Sequence, residues 1–274
     1  MPIAALMLAL AAAVVHAMWN LLLSDARDTY AASAVALAVG TVVFAPVAVV
    51  EWRLGSAAVP YMASSAALEL LYMVLLATAY SVAAMGFVYP VARGSGPVLV
   101  LIAGAAVAGA SVSLLAAVGV LLVASGIVLV RGVHTRGRPR DLALALSVGA
   151  CIAGYTLVDK HGITHGNPIA YLEVVFGCVS IVYLLGVWRA RGGAALRAAV
   201  SWSTGLAGVG FFGAYALTLA ALRLAPAASV AAVRESSVLI AAAVLAFTGR
   251  EEMSAERLAG AVAVVGGVAL ISLG

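Results

Sequence analysis

Charged residues are scarce in this sequence. Only 9% of its residues are Asp, Glu, Lys or Arg, whereas 65% are hydrophobic and the mean hydropathy is +1.16. A soluble domain carries roughly a quarter charged residues and no more than about half apolar ones. The composition therefore excludes a water-soluble protein and predicts an integral membrane protein.

Several chemical signatures are also missing. The two cysteines, Cys151 and Cys178, lie in apolar segments without CxxC spacing or clustered His and Asp, which argues against a disulfide framework and a structural metal site. No HExxH, GxSxG or paired intramembrane Asp occurs, so we expect neither an enzyme nor a bound cofactor. The basic residues lie mainly in short gaps between apolar runs, which indicates topology signals and lipid contacts and no nucleic-acid partner.

Long apolar runs are what the sequence has in abundance. A helix needs about 20 mainly apolar residues to cross the roughly 30 Å hydrocarbon layer. The runs show no period-two alternation, which favours helices over a barrel. The sequence predicts an all-α membrane protein with ten transmembrane helices, at residues 3–23, 30–50, 60–79, 86–108, 112–131, 141–159, 168–188, 203–222, 226–248 and 255–273.

An internal repeat relates the two halves of the chain. The longest charged gap, RGVHTRGRPRD from Arg131 to Asp141, lies near the midpoint, so we predict a first five-helix repeat at 1–132, a basic linker at 133–140 and a second repeat at 141–274. A constant shift of 141 residues matches the pairs Arg93 and Arg234, Ser95 and Ser236, Ser113 and Ser254, Gly119 and Gly260, and Gly126 and Gly267. Five helices are an odd number, so the halves must be inverted. Inverted repeats are typical of secondary transporters with a site near the bilayer midplane.

A few polar residues interrupt the predicted helices. An ionisable side chain in the bilayer core costs about 2.5 to 3.5 kcal/mol on insertion scales, so such residues should face a cavity or a partner. The ionisable ones are His16, Glu69, Arg93, Glu173, Arg234 and Glu235, and their aromatic or amide neighbours are Trp19, Asn20, Tyr72, Tyr89, Tyr155 and Tyr215. Spacings of three and four residues group several of them into helical stripes. These twelve residues are our predicted substrate-binding residues, lining a central cavity.

Each of these residues also has a plainer interpretation. Glu69 with Arg93, or Glu235 with an arginine of the other half, would form static ion pairs between helices. His16 is either a proton-linked group or a neutral core imidazole bonded to a backbone carbonyl. Asp159 and Lys160 lie at a predicted helix end, where we expect both to be solvated.

The stretches HAMWNLLL from His16, YPVARGSGPVLV from Tyr89, GYTLVDKHG from Gly154 and VRESSVLIAA in the ninth helix resemble the EamA-type branch of the drug/metabolite transporter superfamily. The resemblance spans the whole chain and implies a ten-helix basket around a central cavity. It also implies a secondary transporter, often an exporter of small metabolites, in the cell inner membrane.

Two features depart from that family or conflict with it. Members often carry an acidic GE turn after helices four and nine, whereas this chain has Gly249-Arg250-Glu251 in the second half and Gly109-Ala110-Ser111 in the first. The family is usually drawn with both termini in the cytoplasm. Ten Lys and Arg residues follow odd-numbered helices against three in the other gaps (Arg53, Lys160 and Arg223), and this bias places both termini outside.

These observations lead to one functional prediction with an alternative. We expect alternating-access transport, in the direction of export, of a small amphipathic metabolite such as an amino acid or a related zwitterionic or aromatic compound. Glu69 and His16 are the candidates for proton coupling, lipids are the surrounding partners, and the chain should act as a monomer or weak dimer. The alternative is a flippase that uses Arg93 and Arg234 to hold a lipid or lipid-linked phosphate.

Overall fold

The computed structural model describes the backbone of residues 1–83, 85–108, 112–131, 138–248 and 254–274. The residues discussed above at 109–111 and 249–251, and most of the predicted linker, lie outside this part. The helices are α1 Ile3–Ser24, α2 Thr29–Val50, α3 Val59–Val82, α4 Met85–Ala108, α5 Leu114–Arg131, α6 Pro139–Gly162, α7 Pro168–Ala199, α8 Trp202–Leu224, α9 Ala227–Glu235, α10 Ser237–Phe247 and α11 Ala255–Leu273.

The predicted all-helical membrane fold is confirmed. Within the described residues, nine segments are long and apolar enough to cross a membrane, one of them formed by α9 and α10 together. The shorter apolar helix α5 supplies the tenth. Helices satisfy their own backbone hydrogen bonds, which is why a chain of this hydropathy can be stable in lipid.

Most helices differ from their predicted bounds by a few residues, and three of the differences matter below. The sixth continues to Gly162. The seventh continues to Ala199, because α7 bends at Gly192 and then resumes. Gly192 has φ +80°, a conformation that side chains with a Cβ rarely adopt. The ninth crossing is divided at Ser236, whose hydroxyl donates to the Val233 carbonyl 2.7 Å away. The first difference repositions Asp159, as described below.

Helix starts repeat between the two halves. Ser113 Oγ accepts from the Ala116 N–H at 3.1 Å, and Ser254 Oγ accepts from the Arg257 N–H at 3.3 Å. Side-chain caps of this type satisfy backbone donors that have no partner within the helix. The second helix of each half is capped in the same way, α2 by Asp28 and α7 by Asn167.

The α5–α11 interface has the geometry of an inverted repeat. A Cβ on Gly119 would lie 2.6 Å from Gly267 O, and one on Gly126 would lie 2.7 Å from Gly260 O. The residue numbers run in opposite directions along the two helices, which are therefore antiparallel. We call two residues or helices that correspond in the two halves repeat mates, as Gly119 and Gly260 do. Gly119 thus faces the repeat mate of Gly126, and Gly126 faces the repeat mate of Gly119, as in a two-fold interface. Glycines at these positions let the two helix backbones approach closely.

The remaining helix contacts follow the same symmetry. The repeat relates α1 to α6, α3 to α8, and α4 to α9 and α10. The contact of α1 with α8 therefore corresponds to that of α6 with α3, and the contact of α4 with α6 corresponds to that of α9 and α10 with α1. Helix α2 meets its own mate α7. Consecutive helices alternate in direction, so the α1–α2 and α7–α8 connections share one end of the protein, here called the α1–α2 end. The α2–α3, α6–α7 and α8–α9 connections share the other, the α2–α3 end.

Candidate functional site

An ion-pair cluster at the centre of the protein joins the two repeats. Glu235 Oε1 lies 3.1 Å from Arg93 Nη1 and 3.3 Å from Arg234 Nη2. All three side chains are nearly inaccessible, with exposures of 9% or less. The two arginines are related by the 141-residue shift, so one carboxylate of the second half pairs with an arginine from each half. Of the two predicted pairings, the one between Glu235 and an arginine of the other half is present.

Arg93 is held from two further directions. Its Nη2 lies 3.0 Å from His16 Nε2, and its guanidinium lies over the Tyr89 ring at 5.6 Å from the centroid. Because a guanidinium can only donate, the His16 Nε2 atom must be the acceptor in this arrangement. The Asn20 amide donates to the His16 backbone carbonyl at 2.8 Å. His16 thus bonds Arg93, and the predicted bond from its ring to a backbone carbonyl is not among the described contacts.

Both arginines lie beside irregular helical backbone. Helix α4 contains Pro97 four residues after Arg93, and proline has no N–H to donate to the Arg93 carbonyl. In the second half, the division between α9 and α10 falls just after Glu235. Interrupted helices near the midplane are a recurring feature of transporter binding sites. The local sequence therefore places both guanidiniums beside polar backbone inside the bundle.

A cavity with two chambers lies against this cluster. The inner chamber, of about 60 Å³, is lined by four ionisable side chains, Arg93, Arg234, His16 and Glu69, together with aromatic and apolar residues that include Tyr155 and Tyr215. The outer chamber, of about 180 Å³, is mainly apolar and aromatic. The two chambers share the lining residues Trp19, Tyr72, Met73 and Phe211. A ligand spanning both would place a polar group inside and an apolar body outside.

The outer chamber extends toward the α1–α2 end. Its lining includes Leu23 from the last turn of α1, together with Thr29, Tyr30 and Ser33 from the start of α2. Thr29 at its rim is exposed. The cavity is therefore one-sided, with its polar chamber in the interior of the bundle and its aromatic chamber nearer one surface.

Two donors that line the cavity have no partner. Trp19 Nε1 and Arg234 Nε are buried without a hydrogen bond within the described part of the chain. Glu235 Oε2 is likewise buried and unbonded there. A buried polar atom without a partner costs about 1 to 3 kcal/mol, so such atoms call for a ligand or an ordered water.

Asp159 closes the cavity toward the α2–α3 end. Only 1% of it is exposed, and its two oxygens accept from the hydroxyls of Tyr171, at 2.9 Å, and Tyr215. The expectation of a solvated Asp159 is wrong, because α6 continues past it and two tyrosines from α7 and α8 converge on it. Lys160 is half-buried and donates to the carbonyls of Leu222 and Ala225.

Loop contacts complete the closure at this end. The Asn167 N–H donates to Arg53 O at 2.9 Å, and the Asn167 amide donates to Glu51 Oε2 at 3.2 Å. The Gly55 N–H donates to His165 O at 3.0 Å. Arg223, at the end of α8, donates to the Ile163 carbonyl at 2.9 Å and to the Gly166 carbonyl. We call these bonds, with those of Asp159, the closed-end network.

The structure brings most of the predicted site residues together. Eight of the twelve line the inner chamber: His16, Trp19, Glu69, Tyr72, Arg93, Tyr155, Tyr215 and Arg234. Tyr89 and Glu235 contact Arg93 from outside the lining. Asn20 and Glu173 are not among the lining residues described for either chamber.

Sequence reasoning missed two important residues. Phe211 separates the chambers and packs edge-on against Trp19, with ring centroids 5.0 Å apart. No charge or motif distinguishes it from the other apolar residues of α8. Asp159 was noticed but misplaced, and its position one turn after Tyr155 was the available signal.

These features define a multi-pass α-helical membrane protein made of two inverted repeats around a central cavity. Residues 141–273 match the EamA-like transporter family, which is part of the drug/metabolite transporter superfamily. This match confirms the recognition made from the sequence, and it covers the second half of the chain. No curated protein matches the sequence. A solved crystal structure shares the fold: it is 17% identical in sequence, the match covers 98% of each chain, and the TM-score is 0.77.

Proposed function

We propose that this protein is a secondary active transporter that exports a small amphipathic metabolite, such as an amino acid or a related zwitterionic or aromatic compound, by alternating access. We place it in the plasma membrane, as the inner membrane of a bacterium. The observation that carries the proposal is the one-sided cavity, which reaches toward the α1–α2 end and is closed by hydrogen bonds at the other. Such an asymmetry between inverted repeats is expected of one state of an alternating-access carrier.

The two residues that cap equivalent helices make different contacts with the neighbouring helix at the two ends. At the α2–α3 end, Asn167 caps α7 and bonds Glu51 at the end of α2. At the α1–α2 end, its counterpart Asp28 caps α2 and lies 4.0 Å from Arg191 near the end of α7, with the arginine side chain half exposed. The contact between α2 and α7 at the helix cap is thus a hydrogen bond at the α2–α3 end and only a long, half-exposed ion pair at the α1–α2 end. Exchange of these two arrangements would open one end and close the other.

The lining chemistry supports an amphipathic substrate with an acidic group. Both terminal nitrogens of Arg93 are engaged, by Glu235 and His16, whereas Arg234 Nε has no described partner. Arg234 and Trp19 Nε1 can therefore donate to a carboxylate or carbonyl of the substrate. The Glu69 carboxyl in the same chamber suits an ammonium group, and the aromatic outer chamber suits an apolar body.

Flipping of a lipid or lipid-linked phosphate has less support. A phosphate site would need both guanidiniums to be available, yet they share Glu235, and the inner chamber is only about 60 Å³. Phospholipid or lipid-linked phosphate that copurifies in the cavity and depends on Arg234 would favour this alternative.

A ligand screen followed by transport would test the proposal. Purified protein is screened by thermal shift against a metabolite panel, and the hits are assayed for uptake and exchange in liposomes. Trp19→Phe removes the free indole donor and should weaken the hits, whereas Trp202→Phe, at a site 81% exposed, should leave them unchanged. No transport or exchange across the panel, with or without a proton gradient, would count against a metabolite carrier.

Cross-linking would test the alternation itself. Cysteines at positions 51 and 167, in a chain with Cys151 and Cys178 replaced by alanine, would tie the closed end together across the Glu51–Asn167 contact. The linked protein should lose transport and recover it after reduction, and each single-cysteine variant is the control. Full activity in the linked state would contradict alternating access through this end.

A further inference from the structure

Residues 188–202 form a basic segment at the α1–α2 end. The segment contains Arg189, Arg191 and Arg197 and no acidic residue. Trp188 and Trp202 bound it, with exposures of 52% and 81%. Tryptophan is enriched at the headgroup level of membranes, where its ring is half in the apolar layer. Two exposed tryptophans therefore place the three arginines between them at the bilayer surface.

The backbone turns within this segment. Helix α7 is interrupted at Gly192, where φ is +80°, and resumes as a short helix that ends at Ala199. Leu196 packs against the buried cluster of Ala31, Ala34 and Val187. Ala199 packs against that cluster and against a second one, made of Leu23, Ala32, Ala36 and Ala207. The short helix thus lies across the ends of neighbouring helices. We call residues 188–202 the surface elbow.

The arginines of the elbow are available to an external anion. Arg189 and Arg197 are exposed and have no carboxylate within 4.0 Å in the described part of the protein. Arg191 lies over the Tyr30 ring at 5.2 Å from its centroid, and its Nε is 4.0 Å from Asp28 Oδ2. That distance is at the limit for an ion pair, and the Arg191 side chain is 50% exposed.

We propose that the surface elbow is a binding site for the phosphate groups of anionic phospholipids. Its charge complements them, its tryptophans place it at the depth of the headgroups, and its arginines flank the bend at Gly192, two before it and Arg197 on the short helix after it. Basic residues next to a membrane surface attract anionic lipid by about 1 kcal/mol each, which is about a fivefold preference per arginine. This inference concerns the lipid boundary and does not depend on the proposed substrate.

The test compares two double variants of the full chain with equal charge change. Arg189→Gln/Arg197→Gln removes two elbow arginines and leaves the Arg191 contacts intact. Arg138→Gln/Arg140→Gln removes two exposed arginines elsewhere at the same end of the protein. Each protein is placed in vesicles of phosphatidylcholine with 20% phosphatidylglycerol, a proportion chosen at roughly the level where electrostatic recruitment is measurable. Retained phosphatidylglycerol is then counted by native mass spectrometry after extraction.

The two variants should behave differently. We expect preferential retention of phosphatidylglycerol by the parent protein, a loss of about 30-fold in that preference in the elbow variant, and little change in the matched variant. Quenching of tryptophan fluorescence by brominated phosphatidylglycerol, in excess over brominated phosphatidylcholine, should fall in parallel. Equal losses in both variants would mean that only overall charge attracts lipid. That result, or no preference in the parent protein, would overturn the proposal.

Discussion

Glu235 is the residue whose loss should most reduce the stability of the central ion-pair cluster. Its Oε1 atom is shared by Arg93 and Arg234, and all three side chains are buried. Glu235→Gln keeps the shape of the side chain but leaves two guanidiniums without a countercharge. Removing one partner of a buried ion pair typically costs about 3 to 5 kcal/mol, because the remaining charge is left in a medium of low dielectric constant.

The size of the effect can be measured by thermal unfolding. For a chain of this size class, each kcal/mol lowers Tm by about 2 to 4 °C, so Glu235→Gln should lower Tm by about 6 to 20 °C. Arg234→Gln should cost less, about 1.5 to 3 kcal/mol, because it removes one bond and leaves the Arg93–Glu235 pair balanced. Intrinsic fluorescence in detergent follows both transitions.

Glu173→Gln is the matched control. It makes the same chemical change at a carboxyl that has no ion pair among the described residues and does not line either chamber. Its Tm should stay near that of the parent protein. If Glu235→Gln unfolds at the same temperature as Glu173→Gln, or if Arg234→Gln is the more damaging change, the shared carboxylate does not hold the two repeats together.

Three further predictions concern coupling, packing and topology. Glu69→Gln should abolish the dependence of transport on a proton gradient while exchange continues; unchanged gradient dependence would transfer the coupling role to His16. Gly126→Ala should lower Tm through a cost of about 1 to 3 kcal/mol, since its Cβ would lie 2.7 Å from Gly260 O, whereas Gly186→Ala meets nothing within 4 Å and should be neutral. Reporter fusions at the two termini should lie on the same side of the membrane, and opposite sides would exclude ten crossings.

The helical membrane fold could be predicted because it depends on local composition. Apolar runs of sufficient length determine the crossings, and the matched Gly119 and Gly267 regions meet where the repeat requires. Asp159 could not be placed in the same way. Whether it is solvated depends on the last turn of α6 and on two tyrosines from other helices. The choice of Glu235 over Glu69 as the partner of Arg93 is likewise a matter of tertiary packing.

The cluster at the centre shows how an inverted repeat can bind an asymmetric ligand. The shift of 141 residues that relates Arg93 to Arg234 relates Gly94 to Glu235, so only the second half has a carboxylate next to the arginine in sequence. A Cβ on Gly94 would lie 3.1 Å from Ala124 O, so a second acid at this position would be crowded by the α5 backbone. Two guanidiniums therefore share one carboxylate, and the cluster retains a positive charge facing the inner chamber. A substrate acid group at Arg234 would supply the carboxylate that the first repeat lacks, which is the physical reason to search for acidic and zwitterionic substrates first.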